Sequence, residues 1–330
     1  MGAGSGGRGV RLGIDVGGTK VALAVGDGRG RVLGHARLPF PASGSPRRDV
    51  DRMLDAARGL LGGRALGFDD VAAVGISAPG PLDAARGRIL DPPNLPGWRD
   101  VPLAEWFGRA LAAPVAVEND ADAASLAEWR EGAARGTQHA VYLTMSTGVG
   151  AGLILGGRLH RGRLGAGEIG HAPVEWEGEA CACGGRGCLE AYVGGAAWAR
   201  RLRERAPAEG RVARLAQGRE AITPEHAIAA ARAGDAFACA ELQRWNGYLA
   251  RGIVWLEKVL APEVVVLGTI ARAAGEALCL EPLRRMVAER AGPGARGLRI
   301  VAAELGDDLP DRAALAVAEL AAQRAAGAPG

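Results

Sequence analysis

The run LGIDVGGTKVALAV, residues 12–25, sets two short apolar segments on either side of Gly17-Gly18-Thr19-Lys20. An apolar segment, a tight glycine turn and a second apolar segment read as strand, turn, strand. The scheme recurs downstream, where residues 141–145 and 152–155 flank Ser146-Thr147-Gly148-Val149-Gly150. Each copy is followed by a further small-residue turn, Gly26-Asp27-Gly28 and Gly156-Gly157. The chain therefore carries one architectural unit twice. Working outward, residues 72–77, 115–118, 264–267 and 298–302 read as buried strands. Helical spacing covers 48–61, 121–131, 224–233, 236–259, 272–290 and 311–324. Strands alternating with helices predict an α/β protein with mostly parallel sheets. The 330 residues suit about two domains, and two such halves predict a cleft between them.

Composition narrows the function classes. Apolar residues make up 48% and charged residues 23%, as in an ordinary globular chain. The net charge is only +3, which leaves no electrostatic footprint for nucleic acid. All basic residues except Lys20 and Lys258 are arginine, and with 52 glycines this reads as a compositional bias toward solubility rather than phosphate binding. No apolar run approaches the ~18 residues of a membrane span. Residues 1–9 are rich in Gly and Ser and lack an apolar core, so they read as a floppy tail and not a signal peptide. The expected compartment is the reducing cytoplasm, where five cysteines are thiols or metal ligands. Cys239 and Cys279 fall in helical patterns and read as small buried residues.

The turn chemistry points to phosphate. A Gly-Gly-Thr turn leaves backbone N–H groups free to form a concave anion nest. Asp15 before it can hold a hydrated Mg²⁺, and Thr19 and Lys20 can donate to phosphate oxygens; the plain alternative is a hairpin whose Asp bonds the turn. The second turn repeats the chemistry, and two such turns can clamp a polyphosphate. Neither lysine lies in a G-x-x-x-x-G-K-[ST] loop, and the apolar strand after Gly152 rules out a dinucleotide fingerprint.

Cys181, Cys183 and Cys188 form C-x-C-x4-C, with His171 upstream. Three thiolates and an imidazole match a closed tetrahedral zinc site. Gly184, Gly185 and Gly187 allow the bend this requires; inert thiols or a disulfide are the alternatives. Asn119-Asp120 follows the strand at its carboxyl end, where α/β sheets bind ligands. Asp120 there can accept a proton from a hydroxyl, or simply cap the next helix. Glu168, His171 and Glu190 bracket the cysteine loop and suit a polyhydroxylated ligand. His171 can ligate zinc through one ring nitrogen and donate to substrate through the other.

Together these motifs resemble the ROK family of sugar kinases, repressors and open reading frames, from about residue 12 to about residue 315. The parts are GIDVGGTK (13–20), GISAPGPLD (75–83), NLPGW (94–98), ENDADAA (118–124), residues 146–152, GEIGH (167–171) and CACGGRGCLE (181–190). The resemblance implies an actin-like ATPase fold of two ribonuclease-H-like α/β domains, with a structural zinc loop. The C-terminal helix would return to the first domain, giving 1–119 plus 309–330 and 120–308. It implies ATP- and Mg²⁺-dependent phosphorylation of a hexose on O6, with a homodimer as the common assembly. Glucose is expected because Asn94-Leu95-Pro96-Gly97-Trp98 looks like bacterial glucokinases. N-acylmannosamine, N-acetylglucosamine and fructose are the alternatives, the first because of the Ser146-Thr147-Gly148 turn. By the same resemblance Asp120 is the base. Gly80, Asn94, Asn119, Glu168, His171 and Glu190 hold the sugar. Asp15, Gly17, Gly18, Thr19, Lys20, Thr147, Gly148 and Gly268 line the nucleotide, and His171, Cys181, Cys183 and Cys188 bind zinc. Three positions depart from the family pattern: Thr269 where Gly-Gly is usual, Asp122 where Asn is common, and Gly194 where Ser is common. A sugar-sensing repressor is the rival class; the residues before Asp15 are too few for its DNA-binding domain. An actin-like ATPase without a sugar site is the other rival.

Overall fold

The computed structural model describes residues 9–40, 43–163 and 165–327, so the tail expected at residues 1–9 lies outside them except for Gly9. The chain divides into two compact units. One is Met1–Glu131, Gly162–Gly165 and Leu305–Gly330; the other is Gly132–Arg161 and Ala166–Glu304.

In the first unit the order is β1 (Val10–Val16), β2 (Lys20–Gly26), β3 (Val32–Pro39), α1 (Pro46–Gly62), β4 (Val71–Ala78), β5 (Leu82–Asp83), β6 (Arg88–Ile89), α2 (Leu103–Leu111), β7 (Val115–Asn119) and α3 (Asp120–Glu131). Its sheet runs β3-β2-β1-β4-β7. The first three strands form an antiparallel meander, whereas β4 and β7 lie parallel to β1. Tight glycine turns suffice for the antiparallel steps, and the parallel steps need helical crossovers.

The second unit holds β8 (Ala140–Met145), β9 (Val149–Leu155), β10 (Arg158–Leu159), α4 (Leu189–Val193), α5 (Gly195–Arg205), α6 (Arg211–Leu215), α7 (Pro224–Arg232), α8 (Ala236–Leu260), β11 (Val264–Leu267), α9 (Thr269–Gly275), α10 (Glu281–Ala291) and β12 (Arg299–Ala302). Its sheet order, β10-β9-β8-β11-β12, repeats the first, with the meander antiparallel and the last two strands parallel. The duplication expected from the two glycine turns is thus a duplication of a whole five-stranded topology. These are the two ribonuclease-H-like units of the actin-like ATPase fold. The final helix, α11 (Leu309–Ala325), belongs to the first unit and packs on β1, β4 and α3. Each unit has its own apolar core.

α3 groups with the first unit because it lies against α11. Two differences from the sequence reading have physical causes. β3 alternates partly buried with exposed residues and contains Gly34 and a terminal Pro39, so its apolar signal is weak. The helical run expected at 272–290 is broken: a π-helical turn, Glu276–Leu280, separates α9 from α10, with Gly275 at φ +80° and Pro282 in the first turn of α10. Proline lacks the N–H that would continue the ladder.

Candidate functional site

The first unit gathers Asp15, Gly17, Gly18, Thr19, Lys20, Gly80, Asn94, Asn119 and Asp120; the second gathers Thr147, Gly148, Glu168, His171, Cys181, Cys183, Cys188, Glu190 and Gly268.

In the first unit the sheet register sets Asp15 beside Ser77 and Ser77 beside Glu118. Ser77 Oγ donates to Asp15 Oδ1 at 2.7 Å. Burial pushes the Asp15 carboxyl up to about 6, and the nearby Asp120 charge adds to this, while the Ser77 hydroxyl, Lys20 and Arg37 oppose it. The turn closes when the Gly17 amide donates to the Lys20 carbonyl at 2.9 Å, and the Phe40 amide donates to the Thr19 carbonyl at 2.8 Å. Thr19 and Lys20 remain exposed. The Asn94 carbonyl approaches this turn so closely that a Cβ on Gly18 would stand 3.0 Å from it. The Asn94 Cβ stands 3.3 Å from the same point, so Asn94 packs directly on the turn at a position only glycine leaves open.

At the end of β7, Asn119 Oδ1 accepts the Ala121 amide at 2.9 Å, which is the capping bond for α3. Asp120 Oδ1 takes the same amide at 2.8 Å, and its side chain is exposed. Capping is therefore shared, and Asn119 alone can supply it. Glu118 behind them is wholly buried and accepts from Arg324 of α11 at 3.2 Å. Asp122 is buried in the first turn of α3, where the helix dipole favours a carboxylate.

The Asp15 environment yields a pH prediction. An aspartate whose folded value lies near 6, above its ordinary 3.8, binds its proton more tightly in the folded state. Ligand-free stability from this group is greatest below about pH 4 and is lost as pH rises through about 6. Cation and phosphate binding runs the other way, because only the ionised carboxylate serves it. kcat/KM for ATP, which reports the free enzyme, should fall on the acid side with an apparent pKa near 6. Ser77→Ala removes a bond that favours the ionised form and should move that limb up by about one pH unit. An unmoved limb would detach it from Asp15.

In the second unit the turn between β8 and β9 is tied from several sides. The Ser146 and Thr147 carbonyls accept the Gly195 and Ala196 amides of α5 at 2.8 and 3.0 Å. Glu190 Oε2 accepts the Val149 amide at 2.8 Å. Thr269 Oγ1 accepts the Met145 amide at 2.9 Å. A cavity of about 560 Å³ adjoins this turn, lined by Met145, Ser146, Thr147, Gly195, Ala196, Thr223, Pro224, Glu225, Ile228, Thr269, Ile270 and Ala273. That volume is within the range of small-ligand sites. Gly268 is buried at the N-cap of α9. Thr269 has φ +42°, a region where a β-branched residue costs about 1–3 kcal/mol.

The Glu168–His171 turn and the cysteine loop follow. His171 Nδ1 lies 3.8 Å from Cys181 Sγ, and Cys183 Sγ lies 3.7 Å from Cys188 Sγ. All four donor atoms are within 4.8 Å of one another. Zinc–sulfur bonds of about 2.3 Å at tetrahedral angles place sulfurs about 3.8 Å apart, whereas a disulfide needs about 2.05 Å. The set fits zinc, and the cysteines are free thiols. The Gly185 amide holds the Cys183 thiol below its ordinary value, while burial pushes Cys188 up to about 12. The loop depends on Gly187, at φ +69°, where a Cβ would fall 1.6 Å from the Glu175 carbonyl. With Nδ1 toward the sulfurs, His171 Nε2 faces Glu168 Oε2 at 3.9 Å. The two ring nitrogens thus point to different groups, one to the sulfurs and the other to Glu168.

The family model described as "ROK family" matches residues 11–322. The chain belongs to the ROK family. A glucokinase of Streptomyces coelicolor is 35% identical over 286 residues, covering 84% of this chain and 86% of that protein. A ROK hexokinase of Thermus thermophilus has a solved structure that is 35% identical with a TM-score of 0.80, covering 96% of this chain and 99% of that one. A ROK glucokinase of Streptomyces griseus, solved in complex with glucose and AMPPNP, is 33% identical with a TM-score of 0.78, covering 96% of this chain and all of that one. Sequence reasoning about this ROK chain missed Ser77, the Thr269 bond and the cavity wall from Thr223 to Ile228. Ser77 lies inside the GISAPGPLD motif, so attention to the register partner of Asp15 would have found it.

Proposed function

We propose that this ROK protein is an ATP-dependent glucose kinase that forms glucose 6-phosphate, with Asp120 as the proton acceptor. The observation that carries this reading is the first unit's grouping of a phosphate turn, a cation-ready carboxylate and a second carboxylate electrostatically linked to it. The relatives' glucokinase and hexokinase activities support the substrate class.

In this reading Gly17 closes the turn, and Gly18 with the side chains of Thr19 and Lys20 is assigned to the ATP phosphates, as are Thr147 and Gly148 of the second unit; the cavity lined by Thr147 and Thr269 is assigned to the nucleoside. Gly80, Asn94, Asn119, Glu168, His171 and Glu190 are assigned to the sugar. A magnesium ion entering with ATP neutralises phosphate charge, and the acidic, partly buried Asp15 suits its hydration shell. Zinc on His171, Cys181, Cys183 and Cys188 supplies ordering energy to the loop that carries Glu168 and Glu190. Asp120 accepts the sugar hydroxyl proton as that oxygen bonds to the γ-phosphorus; the bond to the β-phosphate oxygen breaks and ADP leaves. Positioning and charge neutralisation do most of the remaining work.

A coupled ADP-release assay with a sugar panel tests the proposal. Release that requires glucose is expected. Preference for N-acylmannosamine, N-acetylglucosamine or fructose would reassign the substrate, sugar-independent hydrolysis would favour an ATPase, and no hydrolysis would favour a sensor. A cytoplasmic homodimer belongs to the same reading, and sedimentation equilibrium measures the assembly. No helix among the described residues is long and apolar enough to cross a membrane.

A further inference from the structure

We infer that Thr269 is a positioning residue for the donor nucleotide: its hydroxyl clasps the Met145 amide and so fixes the Ser146-Thr147-Gly148 turn that receives the phosphates. The inference rests on the nucleotide assignment proposed above and adds to it the residue that sets the turn's shape.

The argument begins with an anomaly. Thr269 sits at φ +42°, where L-residues with a branched Cβ are rarely found. Such a conformation persists only when its surroundings hold it, and here the hold is visible. β11 pairs with β8 as far as Leu267 opposite Leu143, and the Gly268 amide still donates to the Leu143 carbonyl at 2.8 Å. The chain then leaves the sheet to start α9, so β11 offers no carbonyl for the next β8 amide, that of Met145. Thr269 Oγ1 takes that amide instead, at 2.9 Å, and lies 3.5 Å from Thr144 Oγ1. A side-chain oxygen thus stands in for the missing ladder acceptor at the last rung before the turn. It must come from a residue bent back toward β8, which is what the positive φ achieves.

The position of this rung gives it function. Met145 immediately precedes Ser146 and pairs with Val149 across the turn. The Val149 side is pinned by Glu190, and the turn's carbonyls are pinned by Gly195 and Ala196. Thr269 supplies the remaining tie, on the β8 side. The same residue lines the cavity beside the turn, so its placement also shapes the wall that a bound nucleoside would meet.

The test compares Thr269→Ser, Thr269→Ala and Thr269→Gly in the full chain, by steady-state kinetics with ATP and glucose, ADP calorimetry and thermal melting. Serine keeps the hydroxyl and should stay within about twofold of the parent in KM for ATP. Alanine loses it and should raise KM for ATP and the ADP dissociation constant about tenfold, the effect of one net hydrogen bond, with KM for glucose unchanged. Glycine relieves the strained φ, so its melting temperature should hold or rise, yet its ADP affinity should fall as in the alanine variant. That split separates positioning from stability. Parent-like ADP affinity in both the alanine and glycine variants would overturn the inference, as would equal rises in KM for ATP and glucose that track loss of melting temperature. If the parent protein itself binds no ADP, the nucleotide assignment falls and takes this inference with it; the parent arm alone reveals that case.

Discussion

Asp120→Asn should lower kcat by about 10²–10⁴-fold while leaving the glucose dissociation constant within about threefold. The substitution is nearly isosteric and removes the carboxylate's charge together with its ability to accept a proton. The α3 start should survive it, because Asn119 Oδ1 already accepts the Ala121 amide. Folding failure is therefore not the expected cause of lost turnover. A second readout follows from the charge removed. Asp120 helps hold the Asp15 carboxyl near 6, so its neutralisation should bring Asp15 back toward its ordinary value. The acid limb of ATP binding, measured by calorimetry, should then move to lower pH. Retained kcat would remove Asp120 from the proton-accepting role. Lost kcat with an unmoved binding limb would leave the role standing and disprove the proposed coupling to Asp15.

Stripping metal from the cysteine loop should produce the other large effect. Elemental analysis of the purified protein should find about one zinc per chain. Prolonged chelation, or Cys181→Ser, should lower kcat/KM for glucose about 10–100-fold, the usual scale for disturbing a metal site's supporting shell. The geometry explains why the damage should spread. His171 shares its ring between the sulfurs and Glu168, and Glu190 lies two residues after Cys188. Glu190 also holds the Val149 amide, so loss of loop order should reach the nucleotide turn and raise KM for ATP as well. Zinc restored to the chelated protein should recover both parameters. Absence of zinc from fresh protein, or unchanged kinetics after its complete removal, would reduce the loop to a set of ordinary thiols.

The parts legible in the sequence were those whose local pattern carries its own chemistry. The turns at Gly17-Gly18 and Ser146-Thr147-Gly148 announced paired strands because glycine and apolar runs leave few other readings, although the second strand begins at Val149, inside the run that reads as turn. The cysteine spacing announced a metal because three thiols in a glycine-rich loop make poor core. Other features depend on partners distant in sequence. Ser77 bonds Asp15 only because β4 lies beside β1 in one register. The Thr269 clasp exists because β11 ends one rung before β8 does. The sequence marked Thr269 as unusual, yet its hydroxyl's partner and its positive φ are properties of the fold. The grouping of α3 with the first unit depends on a distant partner in the same way. Nothing in residues 120–131 shows that α11, almost two hundred positions later, covers them.

Phosphorus NMR and mass spectrometry of glucose incubated with ATP, Mg²⁺ and the protein examine the central claim most directly. The wild-type chain should yield a hexose monophosphate carrying its phosphate on O6, with one ADP per product, and the Asp120→Asn chain should yield almost none. Phosphate found free in solution without sugar product, or equal product from both chains, would contradict the account.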